Sequence, residues 1–169
     1  MSYIKRIIKE EFSRNEYTRV IKQLLKKYVG GRPFFDALDE YIKTHDDMMV
    51  ALIKGFENEH IVTSGTFGDN LYELYEQGKF KCKSITVFNG KICTKKKGVT
   101  CWYPAMVDLE DKEFIFVDDS TFSGRTIKVI DEYLKKHHNS RIKGVSVAYD
   151  GSKQKDPKVK SLYRYYDFH

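Results

Sequence analysis

The segment Phe114-Ile115-Phe116-Val117-Asp118-Asp119-Ser120-Thr121-Phe122-Ser123-Gly124-Arg125-Thr126 has the residue types for binding a phosphorylated sugar. A short apolar run ends in two adjacent acids, and a hydroxyl-rich stretch with one glycine follows. Adjacent carboxylates suit the paired hydroxyls of a ribose or a bound Mg²⁺, because both seek hard oxygen acceptors. Ser120, Thr121, Ser123 and Thr126 offer hydroxyls, and Gly124 lets the backbone curl so that amides at a helix start face an anion. Phosphate is the natural occupant. The competing structural explanation is a capped helix, with the acids as caps and the hydroxyls satisfying a tight turn. Either half of the segment suits that explanation alone; an acid pair and a Ser-Gly-Arg-Thr turn together after a strand do not.

Positioning such a segment requires a sheet whose strand ends open onto a crevice. Apolar runs of β type occur at Ile61-Val62-Thr63, Ser84 to Phe88, Val99 to Tyr103, Phe114 to Val117 and Val145 to Tyr149. Helices are predicted from Gly68 to Gln77 and from Gly124 to His138. This strand-helix-strand alternation predicts an α/β fold, a mainly parallel sheet flanked by helices. Before it, Ile4, Ile7, Ile8 and Phe12, then Val20, Ile21, Leu24, Leu25 and Tyr28, recur at helical spacing. Gly30-Gly31 stops that pattern, and Pro33 opens a further helical stretch running to Phe56, with a break near His45-Asp46-Asp47. Asn89 to Gly98 and Gly151 to Lys160 are the candidate flexible tracts.

With 169 residues, 41% of them hydrophobic and 32% charged, the chain is expected to form one globular domain. No apolar run is long enough to cross a bilayer, and the charged N-terminus does not form a secretory leader, so a cytoplasmic, non-membrane protein is expected. Cys82, Cys93 and Cys101 lack the spacing of a zinc or redox motif and read as reduced thiols. A net charge of +6 favours an anionic partner without choosing between a nucleic acid and a phosphorylated metabolite. Its position matters more than its sum. Lys95-Lys96-Lys97 is too short for a nucleic-acid tail and by charge alone is a solvated loop. Nucleic acid is not the expected partner.

Val117-Asp118-Asp119-Ser120-Thr121-Phe122-Ser123-Gly124-Arg125-Thr126 resembles the signature of the type I phosphoribosyltransferases: an apolar strand, two acids, a short variable stretch, then a glycine and a hydroxyl residue. Two other families share part of the pattern. Receiver domains place their acids near the chain start without this turn, and synthetases of 5-phosphoribosyl-1-pyrophosphate (PRPP) are longer. The resemblance implies that the reaction moves ribose 5-phosphate from PRPP to a nitrogenous base and releases pyrophosphate, with Mg²⁺ as cofactor. Asp118 and Asp119 would hold the ribose hydroxyls and the metal. Ser120, Thr121, Phe122, Ser123, Gly124, Arg125 and Thr126 would cradle the 5-phosphate.

By the same resemblance, Ser64, Gly65, Thr66, Phe67 and Gly68 stand where pyrophosphate binds, although Ser64 and Thr66 replace the basic residue common in that loop. Asn89 to Gly98 would be the closing lid, and Lys95 and Lys97 its catalytic cations. The family fold adds a variable hood holding the base. Here that implies residues 1–58 as a helical N-terminal part, 59–150 as the PRPP-binding core and 151–169 as a small C-terminal hood. Tyr149 and Asp150 are the candidate base contacts; the alternative for such aromatics is core packing. Purine-salvage members carry an acid where Phe122 stands, and phenylalanine exchanges no proton with a ring nitrogen. This disfavours a hypoxanthine or guanine acceptor and keeps open a non-catalytic regulator that senses PRPP or nucleotides. A homodimer is a further expectation from the family.

Overall fold

The computed structural model describes residues 16–28, 31–88, 101–103 and 108–168. The first helical stretch, the lid tract and its lysines Lys95 and Lys97 lie outside the described residues. Helix α1 covers residues 16–27. Helix α2 (Arg32–Lys43) starts where expected, with Pro33 in its first turn, and Phe34, Leu38 and Ile42 recur every fourth position to form its buried stripe. The helical stretch breaks at Thr44 and His45, and α3 (Asp46–Ile53) resumes with two acids in its first turn, where they oppose the helix dipole.

Strand β1 (His60–Ser64) runs directly into α4 (Gly65–Glu76), so the helix begins three residues earlier than the apolar pattern indicates. Strands β2 (Ser84–Phe88) and β3 (Cys101–Tyr103) follow, then β4 (Glu113–Thr121), α5 (Arg125–His138) and β5 (Arg141–Asp150). The chain closes with β6 (Val159–Arg164) and a 3₁₀ turn at Tyr165–Asp167.

The six strands form one sheet in the order β3-β2-β1-β4-β5-β6. All neighbours are parallel except β2 and β3, which are antiparallel. Two hydrophobic layers cover the sheet. On one face Phe34, Leu38, Met49, Leu52, Phe67 and Leu71 from the N-terminal helices and α4 pack on Ile61, Ile115 and Val117. On the other, Ile130 and Leu134 of α5 pack on Val62, Phe116, Val145 and Val147. Alternation along β4 therefore directs Asp119 to the α2 face and Asp118 to the α5 face.

Two differences from the sequence pattern matter for the site. Strand β4 does not end at Val117 but continues through Thr121, because Asp118, Ser120 and Thr121 still pair with Val147, Tyr149 and Asp150 of β5. The tract from Gly151 to Lys160 is a crossover that delivers the chain into β6, a strand that the residue pattern does not reveal. Its polar and apolar residues do not alternate, Lys160 and Ser161 being adjacent as are Leu162 and Tyr163, and it forms by pairing with β5 from Val145↔Val159 to Asp150↔Arg164.

Candidate functional site

Strand β1 pairs with β4 only through Val62↔Phe116, so β4 extends well past the last shared rung. Chain direction also reverses between these strands. From β1 the chain winds through α4 to β2 on one side, and from β4 through α5 to β5 on the other. A parallel sheet opens a crevice at such a reversal, beyond the carboxyl ends of the two strands.

Asp118 and Asp119 stand there. Together with Ser120, Thr121, Phe122, Ser123, Gly124, Arg125 and Thr126 they line a cleft of about 340 Å³, completed by Phe35 of α2, Phe116 and Ile127. Every residue expected at the 5-phosphate is therefore in one place. Gly124, at φ +73°, takes the left-handed conformation that turns the chain into α5. No side chain caps the first turn of α5 in the strong sense; Ser123 Oγ only accepts the Arg125 N–H at 3.4 Å. The orphan amides of that turn are available to an anion.

The acids are held by their own backbone. The Asp119 N–H donates to Asp118 Oδ1 at 2.8 Å and the Ser120 N–H to Asp119 Oδ1 at 2.7 Å. Burial, and then the neighbouring charge of Asp119, pushes the Asp118 carboxyl well above the ordinary carboxylate range. Burial also raises Asp119, against the opposing effect of hydrogen bonds from Asp118 and Ser120. A third carboxyl joins them: Asp39 of α2 is pushed up to about 6, first by burial and then by the charge of Asp119. Its Oδ1 is buried without a hydrogen-bond partner.

Three carboxyls in mutual repulsion favour a ligand that brings hydroxyl donors or a cation. Among the described residues, no group of three or more His, Cys, Asp or Glu converges closely enough to hold a metal alone. The donor set fits an ion that takes its remaining oxygens from a phosphate ligand and water, the habit of Mg²⁺.

The Ser64 to Gly68 turn follows the carboxyl end of β1, the strand beside β4, but none of its residues lines the cleft around Asp118. Ser64 is extended and α4 starts at the next residue with no side-chain cap, leaving its first amides open. Phe67 and Gly68 are buried, so only the Ser64 to Thr66 part of this segment presents side chains outward. A Cβ at Gly68 would come within 2.8 Å of Val87 and 3.0 Å of Thr63, and α4 can sit this close to the sheet only with glycine there.

Tyr149 and Asp150 are placed differently from the other candidates. Tyr149 is 1% exposed and packs against Phe34, Phe122 and Phe168 with ring centroids 5.5, 5.6 and 6.3 Å away. Its faces are taken by these neighbours, and the packing alternative describes it. Asp150, also buried, accepts the Ser152 N–H at 2.9 Å and borders a second cavity, on the α5 side of the bend. The aromatic surface that does line the cleft is Phe122 with Phe35, in edge contact at 4.8 Å. Phe35 and Asp39 are absent from the sequence-based site. The available signal is that both lie beside the buried Phe34-Leu38-Ile42 stripe, four residues apart, and so share a helical turn.

No protein-family model matches the sequence, and no curated protein matches it significantly. Solved structures do match in shape. A phosphoribosyltransferase from Corynebacterium diphtheriae superposes with a TM-score of 0.52, over 92% of this chain and 97% of that one, at 13% identity. The chain has the type I phosphoribosyltransferase fold. A purine phosphoribosyltransferase from Pyrococcus horikoshii, 20% identical, covers 73% of this chain and 83% of its own at a TM-score of 0.47. At such identities the likeness is one of fold. In this phosphoribosyltransferase fold the acid pair and the bend occupy the crevice at the chain reversal. No helix among the described residues is long and apolar enough to cross a membrane.

Proposed function

We propose that this protein transfers ribose 5-phosphate from PRPP to a nitrogen of a base and releases pyrophosphate. The observation that carries this reading is the cleft at the β1/β4 reversal, where half-buried Asp118 and buried Asp119, with no ion pair among the described residues, adjoin the amides and hydroxyls of an uncapped helix start.

In the reaction, the acceptor nitrogen bonds to C1 of the ribose while the C1–O bond to pyrophosphate breaks, its electron pair leaving with the pyrophosphate. Positive charge develops on the sugar in between. Asp118 and Asp119 accept hydrogen bonds from the ribose hydroxyls, which favour the ionised carboxylates, and that negative charge favours the developing positive character of the sugar. Hydroxyls and amides from Ser120 to Thr126 fix the 5-phosphate, so the reacting carbon is positioned rather than searching. Amides of Ser64 to Gly68 face the leaving pyrophosphate, and Lys95 and Lys97 are assigned as its cationic partners. Mg²⁺, held through Asp118 and Asp119, would supply charge neutralisation on the pyrophosphate oxygens. Phe35 and Phe122 form the apolar wall against the acceptor and exclude water.

That wall also favours a second reading, a PRPP-sensing regulator, since neither ring can take the acceptor's proton. Thermal unfolding distinguishes both from an unrelated function. PRPP with Mg²⁺ at about a hundredfold its Kd is expected to add about 2.7 kcal/mol of stability, and no stabilisation refutes both. Pyrophosphate release across a panel of purine and pyrimidine bases then separates enzyme from sensor.

A further inference from the structure

Charge along this fold is distributed unevenly. In the crossover after β5 and in β6 itself, Lys153, Lys155, Lys158, Lys160 and Arg164 stand against Asp156 as the one acid between residues 151 and 164. The four lysines are exposed, and none of the five cations is ion-paired among the described residues. Lys112, Lys135, Arg141 and Lys143 are each matched to a carboxylate. Lys153, Lys155 and Lys158 lie in the crossover that leads into β6, the last strand of the sheet, whereas Lys160 Nζ donates to the Lys54 carbonyl at 2.8 Å and lies over the Phe56 ring.

Aromatic surface sits beside them. Tyr166, 60% exposed, meets Tyr165 edge-on at 5.2 Å, and Lys153 Nζ lies 5.5 Å from the Tyr165 ring. Exposed cations with no ion pair among the described residues, next to an open tyrosine ring, match a chain that carries a phosphate at every step and flat bases able to stack.

We propose that the β6 border is a docking surface for single-stranded nucleic acid. The contact is with backbone phosphates through the lysines and with one base through Tyr166, and it reads little sequence. The surface adjoins the cleft at Asp118, because Lys158 borders a cavity that shares Thr121, Phe122, Ser123 and Gly124 with it, and oligonucleotide binding there requires no PRPP site.

The test is fluorescence anisotropy of labelled oligouridylate and oligothymidylate strands of about 15 nucleotides, long enough for one such site. If four to five phosphates are neutralised, affinity falls about 50- to 130-fold between about 50 and 200 mM salt. K153E/K155E/K158E is expected to abolish binding. K79E/K81E/K83E makes the same charge change in the exposed α4–β2 connection and is expected to weaken binding by less than about threefold, by long-range screening alone. Tyr166→Ala lowers affinity about tenfold while leaving the salt slope unchanged. Lysine-to-glutamine forms of both triples repeat the comparison if a glutamate form fails to fold. No binding at low salt, equal weakening by the two triples, or tighter binding to duplex or to anionic lipid vesicles would overturn the proposal.

Discussion

The two ends of the sheet treat charge in opposite ways. At the amino ends of the strands, charges meet opposite partners: Arg141 with Glu113 across β5 and β4, Lys143 Nζ with Glu59 at 2.7 Å, Lys112 with Asp108 at 3.2 Å, and His138 with Glu110 at 2.6 Å. Polar groups there are also satisfied, with Ser140 Oγ accepting the Lys112 N–H at 2.8 Å and His60 bonded to Ser84 at 2.7 Å. At the carboxyl ends, Asp119 and Asp39 share the α2 face with Asp118 adjacent in the strand, and all three are pushed toward the protonated form. The first end is complete as it stands. At the second, no cation pairs with the acids among the described residues, the pattern expected of a binding region rather than a stabilising one.

The strongest way to break this contrast is to neutralise the acid pair. Asp118→Asn with Asp119→Asn is expected to lower PRPP-dependent pyrophosphate release by about 10²–10³-fold. The melting temperature should hold or rise, since like-charge repulsion is removed. Calorimetry and a pyrophosphate assay on the same sample check both halves, and unchanged turnover refutes the role of the pair. Next in size, Gly124→Ala forces a side chain into left-handed backbone. It should reduce stability by about 1–2 kcal/mol and weaken PRPP binding about tenfold through the displaced amides, readable by titration calorimetry.

A pH series sharpens the contrast. Asp39 titrates near 6 in the folded protein and near 4 when unfolded, so its share of stability is full below about pH 4 and is lost as pH rises through 6. Asp39→Asn should therefore be more stable than the parent by about 1–2 kcal/mol at pH 8, with the gap closing toward pH 4. A constant gap would show that Asp39 does not titrate in this way. The smallest effect is at the paired end: Arg141→Ala should lower stability by less than about 1 kcal/mol and leave stabilisation by PRPP untouched.

What the sequence discloses of this molecule is what depends on neighbours along the chain. The acid pair, the bend and the strand before them are contiguous, and their chemistry is visible as a string. The break at His45 and the start of α2 at Pro33 are local signals too. Strand β6 is not local, because Val159-Lys160-Ser161-Leu162-Tyr163-Arg164 becomes a strand by hydrogen bonding to β5. Asp39 and Phe35 reach the cleft only when α2 docks across the sheet, about 80 residues before the acids they join. Tyr149 shows the converse: an aromatic at a strand tip suits a ligand on paper, and three other rings enclose it in the fold.

The missing side chain at Gly68 also has a mechanical meaning. With no spacer between α4 and the sheet, the helix rests directly on Thr63 and Val87, one in each of the two parallel strands beneath it. The amides of its first turn inherit the stiffness of those strands. If an anion binds there as proposed, it would meet donors already in register and lose little to reorganisation, whereas a methyl group at position 68 would act as a shim, tilting the helix and misaligning those donors.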